Sequence, residues 1–211
     1  EQGVPNSKMT VVYNGISTNL PTTKAINLNY EGISIGLAAR ITAIKGIEYL
    51  LEAIKLLKQM TNKKFHLYVV GDGPLLEDQK RQIKELKIED AVSYIGYSDK
   101  IAEWLNAWDI FCLPSLQENH SIALLEAMRA GKAIVCTSVG GNPETVKDEV
   151  EALLVPACNS QKLANALKRL IESEDLRKKL GINAYQKFTN NFTEEIMKKR
   201  LCEVLKNAIK H

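Results

Sequence analysis

Arg40, Lys45, Glu118 and Glu126 are the residues from which a binding chemistry can be argued. Arg40 and Lys45 place two positive charges just before the start of an amphipathic segment. A guanidinium grips two oxygens as a fork and an ammonium acts as a point charge, so the pair suits a diphosphate beside a helix N-terminus. An arbitrary Arg-x4-Lys is more simply two exposed surface cations. Glu118 and Glu126 stand in an E-x7-E spacing, with Ser121 or a neighbour opening a helix. Glu118 then falls in the loop and Glu126 in the second turn, ~7 Å along the helix axis from its start. A carboxylate there accepts hydrogen bonds from vicinal hydroxyls such as those of a ribose or a hexose. The backbone N–H groups of Asn119, His120, Ser121 and Ile122 would meanwhile face an anion. Taken alone, the spacing fits a solvated loop acid and an ordinary helical one. The apolar run at 122–125 predicts that Glu126 is partly buried and needs a partner.

The remaining unusual residues carry less. Gly71-Asp72-Gly73-Pro74 reads as a tight strand-to-helix turn in preference to a phosphate cradle. Gly140-Gly141 allows close backbone approach, either to a ligand or within a turn. His66 lies in an apolar run and reads as a packed residue, whereas His120 suits either a ligand contact or a polar cap. Trp104 and Trp108, four apart, read as a core-facing pair. No metal-ligand spacing and no Ser/His/Asp or Cys/His arrangement is present, so no metal site is expected.

The elements that must position these residues follow a repeating pattern. Apolar runs at 33–38, 65–70, 91–95, 110–113, 133–137 and 152–155 are mostly continuous, as strands buried on both faces of a parallel sheet are. Helical segments fit between them at 46–60, 75–86, 100–108, 121–130 and 143–146. This alternation predicts an α/β, Rossmann-like, doubly wound parallel sheet. After Val155 the segments 163–172, 175–188 and 193–210 read as consecutive helices forming a C-terminal cap. The opening, 8–16, reads as a short strand closed by an Asn14-Gly15 turn, followed by polar loop to Glu31. Ligands bind outside the carboxyl ends of strands in such sheets. Arg40 and Lys45 follow the first long strand and Gly71 to Pro74 the second. Gly96-Tyr97 follow the third, Pro114 to Ser121 the fourth and Gly140-Gly141 the fifth. All fall on one edge and are expected to share one crevice.

Bulk properties agree. At 211 residues and 45% hydrophobic, the chain can bury one large core. A formal charge of +3 suits a small anionic ligand and gives no argument for nucleic acid. Four scattered cysteines, Cys112, Cys136, Cys158 and Cys202, form no pair motif, so a reducing cytoplasm is expected. No apolar run approaches the ~20 residues that span a bilayer. The basic run at 198–200 reads as a solvated face, with weak attachment to a membrane surface as the alternative. A start at Glu1 suggests a fragment, a processed form or a tagged version.

From Ile33 onward the chain resembles the C-terminal domain of family 4 retaining glycosyltransferases (glycosyl transferases group 1), which have a GT-B fold. The resemblance rests on GLAARITAIKGIEYLLEAI (36–54), LYVVGDGP (67–74), VSYIGY (92–97) and DIFCLPSLQENHSIALLEAMRAGKAIVCTSVGGNPETV (109–146). The opening VVYNGI is similar to that family's interdomain segment. It implies a linker and first strand at 1–31, a nucleotide-sugar-binding domain at 32–192 and a C-terminal helix at 193–211. It further implies that Arg40 and Lys45 bind the donor diphosphate and Glu126 the ribose, with Glu118, the catalytic residue, on the hydroxyls of the transferred sugar. Asn119, His120, Ser121 and Ile122 would add backbone contacts, with Gly96 and Tyr97 near the base. The implied reaction transfers a hexose-type sugar from a nucleotide diphosphate sugar to a glycan or lipid-linked acceptor, with retention and without metal or cofactor. An N-terminal acceptor domain would be the missing partner, and this chain alone an incomplete enzyme; it is expected in the cytoplasm, with peripheral attachment to the inner face of the membrane as the alternative. A non-catalytic nucleotide-sugar-binding or scaffolding domain is the alternative. The sequence departs from the family in reading Asn119-His120 where Gly plus an aromatic is common, and Leu37-Ala38-Ala39 before Arg40.

Overall fold

The apolar runs become the strands of one sheet in the computed structural model, which describes residues 3, 5, 8–19 and 24–209. They are β1 (Ile33–Ala38), β2 (Phe65–Val70), β3 (Val92–Gly96), β4 (Ile110–Leu113), β5 (Ala133–Thr137) and β6 (Leu153–Val155). All pair in parallel in the order β3-β2-β1-β4-β5-β6. β4 and β5 are buried along their whole length, which explains why their sequences do not alternate.

Helices α1 (Ile47–Met60), α2 (Leu76–Leu86), α3 (Ile101–Ala107), α4 (Ile122–Arg129) and α5 (Asn142–Thr145) follow β1 to β5 in turn. Three more, α6 (Ser160–Glu172), α7 (Glu174–Asn191) and α8 (Glu194–Ile209), follow β6. Alternate residues of β1 serve two cores. Ile35 and Leu37 join the buried stripe of α1 (Ile47, Leu50, Leu51, Ile54, Leu57) and Leu163, Leu167 and Leu170 of α6. Ala38 joins the opposite core with Trp104, Trp108, Leu124 and Leu125. The C-terminal helices are present, and two of them do more than cap. α6 packs on α1, and α7 packs on α4 and β5, completing the two layers. α8 alone buries no residue.

One expectation fails. Among the described residues, 8–19 contain no strand of the sheet, only an isolated bridge between Ile16 and Thr193. β-branched composition favours a strand only when neighbouring strands offer side chains to pack on, and here Val11 is 71% exposed. The segment instead docks on the junction of α7 and α8. The Ile16 N–H donates to the Phe192 carbonyl (3.1 Å), and the Glu194 N–H donates to the Ile16 carbonyl (3.0 Å).

Trp104 and Trp108 pack as expected, with ring centroids 6.1 Å apart and both side chains buried. The Trp108 ring lies flush against β1: a Cβ at Gly36 would sit 1.8 Å from its Cδ2. Gly36→Ala therefore overpacks the layer beneath the sheet. Urea unfolding is expected to show a loss of about 1–3 kcal/mol; a neutral result would show that the Trp108 layer yields freely.

Candidate functional site

β1 and β4 lie side by side, but their helices leave in opposite directions, α1 to one core and α4 to the other. The gap between diverging loops at such a point is where open α/β sheets bind ligands. After β1 the chain runs through Arg40 into a single tight turn, Ala43–Lys45, and enters α1 at Gly46. After β4 it runs through Pro114, Ser115 and Glu118 to Ser121. The two loops are tied together by the Leu116 N–H donating to the Ile44 carbonyl (2.7 Å). That tie brings Lys45 to Glu118, with the ammonium 2.6 Å from Oε1, and the Ser115 hydroxyl donates to the same oxygen at 2.7 Å. The Glu118 side chain is only 9% exposed and that of Lys45 21%. A carboxylate so enclosed needs such partners.

Ser121 opens α4 as its cap, its hydroxyl accepting from the Leu124 N–H at 3.4 Å. The first-turn N–H groups of Ile122 and Ala123 have no intrahelical acceptor, as at any helix start. Glu126 is half-buried on the next turn, and burial raises its pKa, an effect that nearby Arg129 partly opposes. It lines a cleft of ≈ 700 Å³ together with Arg40, Asp72, Tyr97, Ser98 and Asp99. Tyr97 is 82% exposed on that lining.

A second cleft, of ≈ 420 Å³, is lined by Tyr13, Asn14, Glu118, Asn119, His120 and Glu144. The crevice expected as one is thus two clefts on one edge of the sheet. α4 supplies Glu126 to the first, and the loop leading into α4 supplies Glu118, Asn119 and His120 to the second. Lys45 lines neither cleft but pairs with Glu118 of the second, and Ile122 is 44% exposed at the head of the helix. Gly96 lies away from both linings, its carbonyl accepting from the Gly71 N–H at 2.8 Å.

Gly140-Gly141 packs on the protein's own backbone while also lining the second cleft: a Cβ at Gly140 would sit 1.6 Å from the Glu118 carbonyl oxygen, and one at Gly141 1.8 Å from that of Asn119. Gly140 also holds φ at 49°, which side chains resist. Gly71 and Gly73 likewise back onto the carbonyls of Ala39 and Ile41, so that turn packs on the loop after β1, with Gly71 and Asp72 also lining the first cleft. His120 caps nothing, because Ser121 does; its ring stacks near Tyr13 and Phe192 with centroids 5.2 and 5.3 Å away. Burial lowers its pKa. Ser115 and Glu144 were not singled out beforehand, although both follow strand ends and the same rule reaches them. Tyr13 and Asn14 precede the first strand, and no such signal reaches them.

Comparison with known proteins agrees with this geometry. The family model of the glycosyl transferases group 1 matches residues 22–187. The amylovoran biosynthesis glycosyltransferase AmsK of Erwinia amylovora is 31% identical over 211 residues, covering 96% of this chain and 52% of that protein. The chain spans about half the length of the curated relatives it matches. Among solved structures, the C-terminal domain of a glycosyl transferase group 1 family protein (LpcC) from Francisella tularensis superposes with a TM-score of 0.70 at 28% identity, covering 77% of this chain and 87% of that one. Anabaena HepE in complex with UDP and glucose shares the fold, with a TM-score of 0.85 at 22% identity over 97% of this chain and 59% of its own. The strand order, the loops meeting at the β1–β4 switch point and the family match lead to one conclusion: this chain belongs to the glycosyl transferases group 1 family and corresponds to the C-terminal domain of its GT-B fold.

Proposed function

We propose that this domain binds the donor of a retaining transferase, a nucleotide diphosphate carrying a hexose-type sugar. What supports the reading is the cleft that Arg40 shares with Glu126 of α4, together with the Lys45–Glu118 pair formed between the loops that lead into α1 and α4. A diphosphate laid across that N-terminus meets the free N–H groups of the first turn, the Arg40 fork and the Lys45 ammonium, which keeps donors beyond the one given to Glu118. No metal is required in this reading, because these groups carry the charge complementarity. Glu126 then accepts from the ribose hydroxyls, and the exposed Tyr97 ring lies beside the base. Glu118, fixed by Lys45 and Ser115, accepts from hydroxyls of the sugar.

In the reaction the bond from the anomeric carbon to the diphosphate oxygen breaks, the acceptor oxygen bonds to that carbon on the same face, and its proton departs. Negative charge grows on the leaving diphosphate, and the preorganised donors of this domain stabilise it there. Acceptor recognition and closure against water fall to an N-terminal domain outside this sequence. The acceptor class in this reading is a glycan or lipid-linked saccharide; the relative AmsK is an amylovoran biosynthesis glycosyltransferase. No described helix is long and apolar enough to cross a membrane; we place the domain in the cytoplasm, with weak peripheral attachment to the inner membrane face through the basic run at 198–200 as the alternative.

Calorimetry with UDP, GDP and ADP is expected to show one of them binding in the micromolar to millimolar range. Arg40→Ala and Lys45→Ala should each weaken it about tenfold or more, the worth of a charge-assisted hydrogen bond. Binding of none would overturn the donor reading. The chain alone should transfer no measurable sugar, and robust turnover would show that no second domain is needed. Glu126 adds a pH signature. Because burial raises its folded-state pKa, the native state holds that proton more tightly than the unfolded chain does. Stability is therefore lost as pH rises above the ordinary carboxylate range, about 4.3. Glu126→Gln should unfold like wild type near pH ~4 and resist urea better near pH ~7, while binding the nucleotide more weakly; equal stability at both would remove the burial argument.

A further inference from the structure

Three segments far apart in sequence meet at the ring of His120. Tyr13 comes from the opening segment, His120 from the loop between β4 and α4, and Phe192 from the end of α7. Their ring centroids lie 5.2 Å (Tyr13–His120), 5.3 Å (His120–Phe192) and 6.0 Å (Tyr13–Phe192) apart, the last pair edge to face. Polar contacts reinforce the cluster. Asn14 Nδ2 donates to the His120 carbonyl at 3.2 Å, and the Tyr13 hydroxyl ties the opening segment to α5 by donating to Glu144 Oε2 at 2.6 Å. Ile16 is stitched to Phe192 and Glu194 through backbone hydrogen bonds. On the inner side the loop rests on Gly140 and Gly141, with the Gly141 N–H donating to the Glu118 carbonyl at 3.3 Å. The 118–121 loop is therefore gripped from both sides. Its inner support is the protein's own β5–α5 turn, and its outer support is the opening segment.

The imidazole does this as a flat plate. Both ring nitrogens are buried with no hydrogen-bond partner among the described residues, so neither donates to nor accepts from a protein group. An aromatic ring clustered with two others in a triangle fixes a loop at low entropic cost, because only two side-chain torsions are frozen. We propose that His120 is a positioning residue, through which docking of the Tyr13–Asn14 segment sets the geometry of the 118–121 loop and hence the affinity for the donor. The affinity clause rests on the donor-binding reading above; the anchoring clause does not. The site is thereby coupled to a segment that contributes nothing to the Arg40–Glu126 cleft.

The test compares the whole chain with Tyr13→Ala, His120→Ala and His120→Phe by backbone hydrogen exchange and by calorimetry with UDP, GDP and ADP. In both alanine variants, amides of residues 117–123 should exchange at least about tenfold faster, with β2 and α1 unchanged. His120→Phe, which keeps the plate and drops the nitrogens, should restore wild-type exchange. Nucleotide affinity should fall several-fold in the alanine variants and recover in His120→Phe, a rescue that simple loss of folding would not produce. Should His120→Ala fail to fold, Tyr13→Ala, on the exposed segment, carries the same comparison. Unchanged loop exchange in the alanine variants, or failure of His120→Phe to restore it, overturns the proposal. If the wild-type chain binds none of the three nucleotides, the donor reading falls and the exchange result alone decides the anchoring.

Discussion

Pairing β1 directly against β4 is the constraint on which the site depends. Ile35 stands opposite Ile110 and Gly36 opposite Phe111, so strands separated by two intervening β–α units become neighbours. Because α1 and α4 then leave toward opposite cores, their loops must diverge above the sheet, and the opening is lined by whatever those loops carry. In this chain they carry Arg40 and Lys45 on one side, Glu118 and Glu126 on the other. The Trp108 ring, which no side chain at position 36 could accommodate, fills the layer directly beneath that junction.

The two glutamates of the site illustrate how similar groups acquire different tasks. Glu118 is the more enclosed, yet its charge is met by the Lys45 ammonium and the Ser115 hydroxyl on one oxygen. Among the described residues its other oxygen has no hydrogen-bond partner, so the carboxylate is held in orientation without being saturated. Glu126 has no comparable partner; burial raises its pKa, and Arg129 compensates only in part. A charge kept at some cost to folding is the pattern expected of a binding group.

Strand existence and order of appearance were legible in the sequence because burial on both faces leaves continuous apolar runs. β1, β2, β4 and β5 begin and end where those runs do. Strand-end placement likewise brought Arg40, Glu118 and Glu126 to one edge. Two things were not legible. The appearance of two clefts on that edge, and the reach of Lys45 across loops to Glu118, depend on side-chain packing that spacing does not encode. The opening segment was misread because 8–16 has the composition of a strand, and composition carries no information about whether a neighbouring strand exists.

The same segment shows what local reading omits. Its backbone joins the α7–α8 junction, and its Tyr13 and Asn14 side chains reach the loop before α4. The Gly140-Gly141 turn completes the enclosure by letting two backbones approach where any Cβ would collide. Precision at Glu118 and at the head of α4 is therefore supplied by residues more than a hundred positions away and by the absence of side chains at two others. A loop needs such support when it must present charge and backbone donors within a fraction of an ångström, and the sheet edge alone offers only direction.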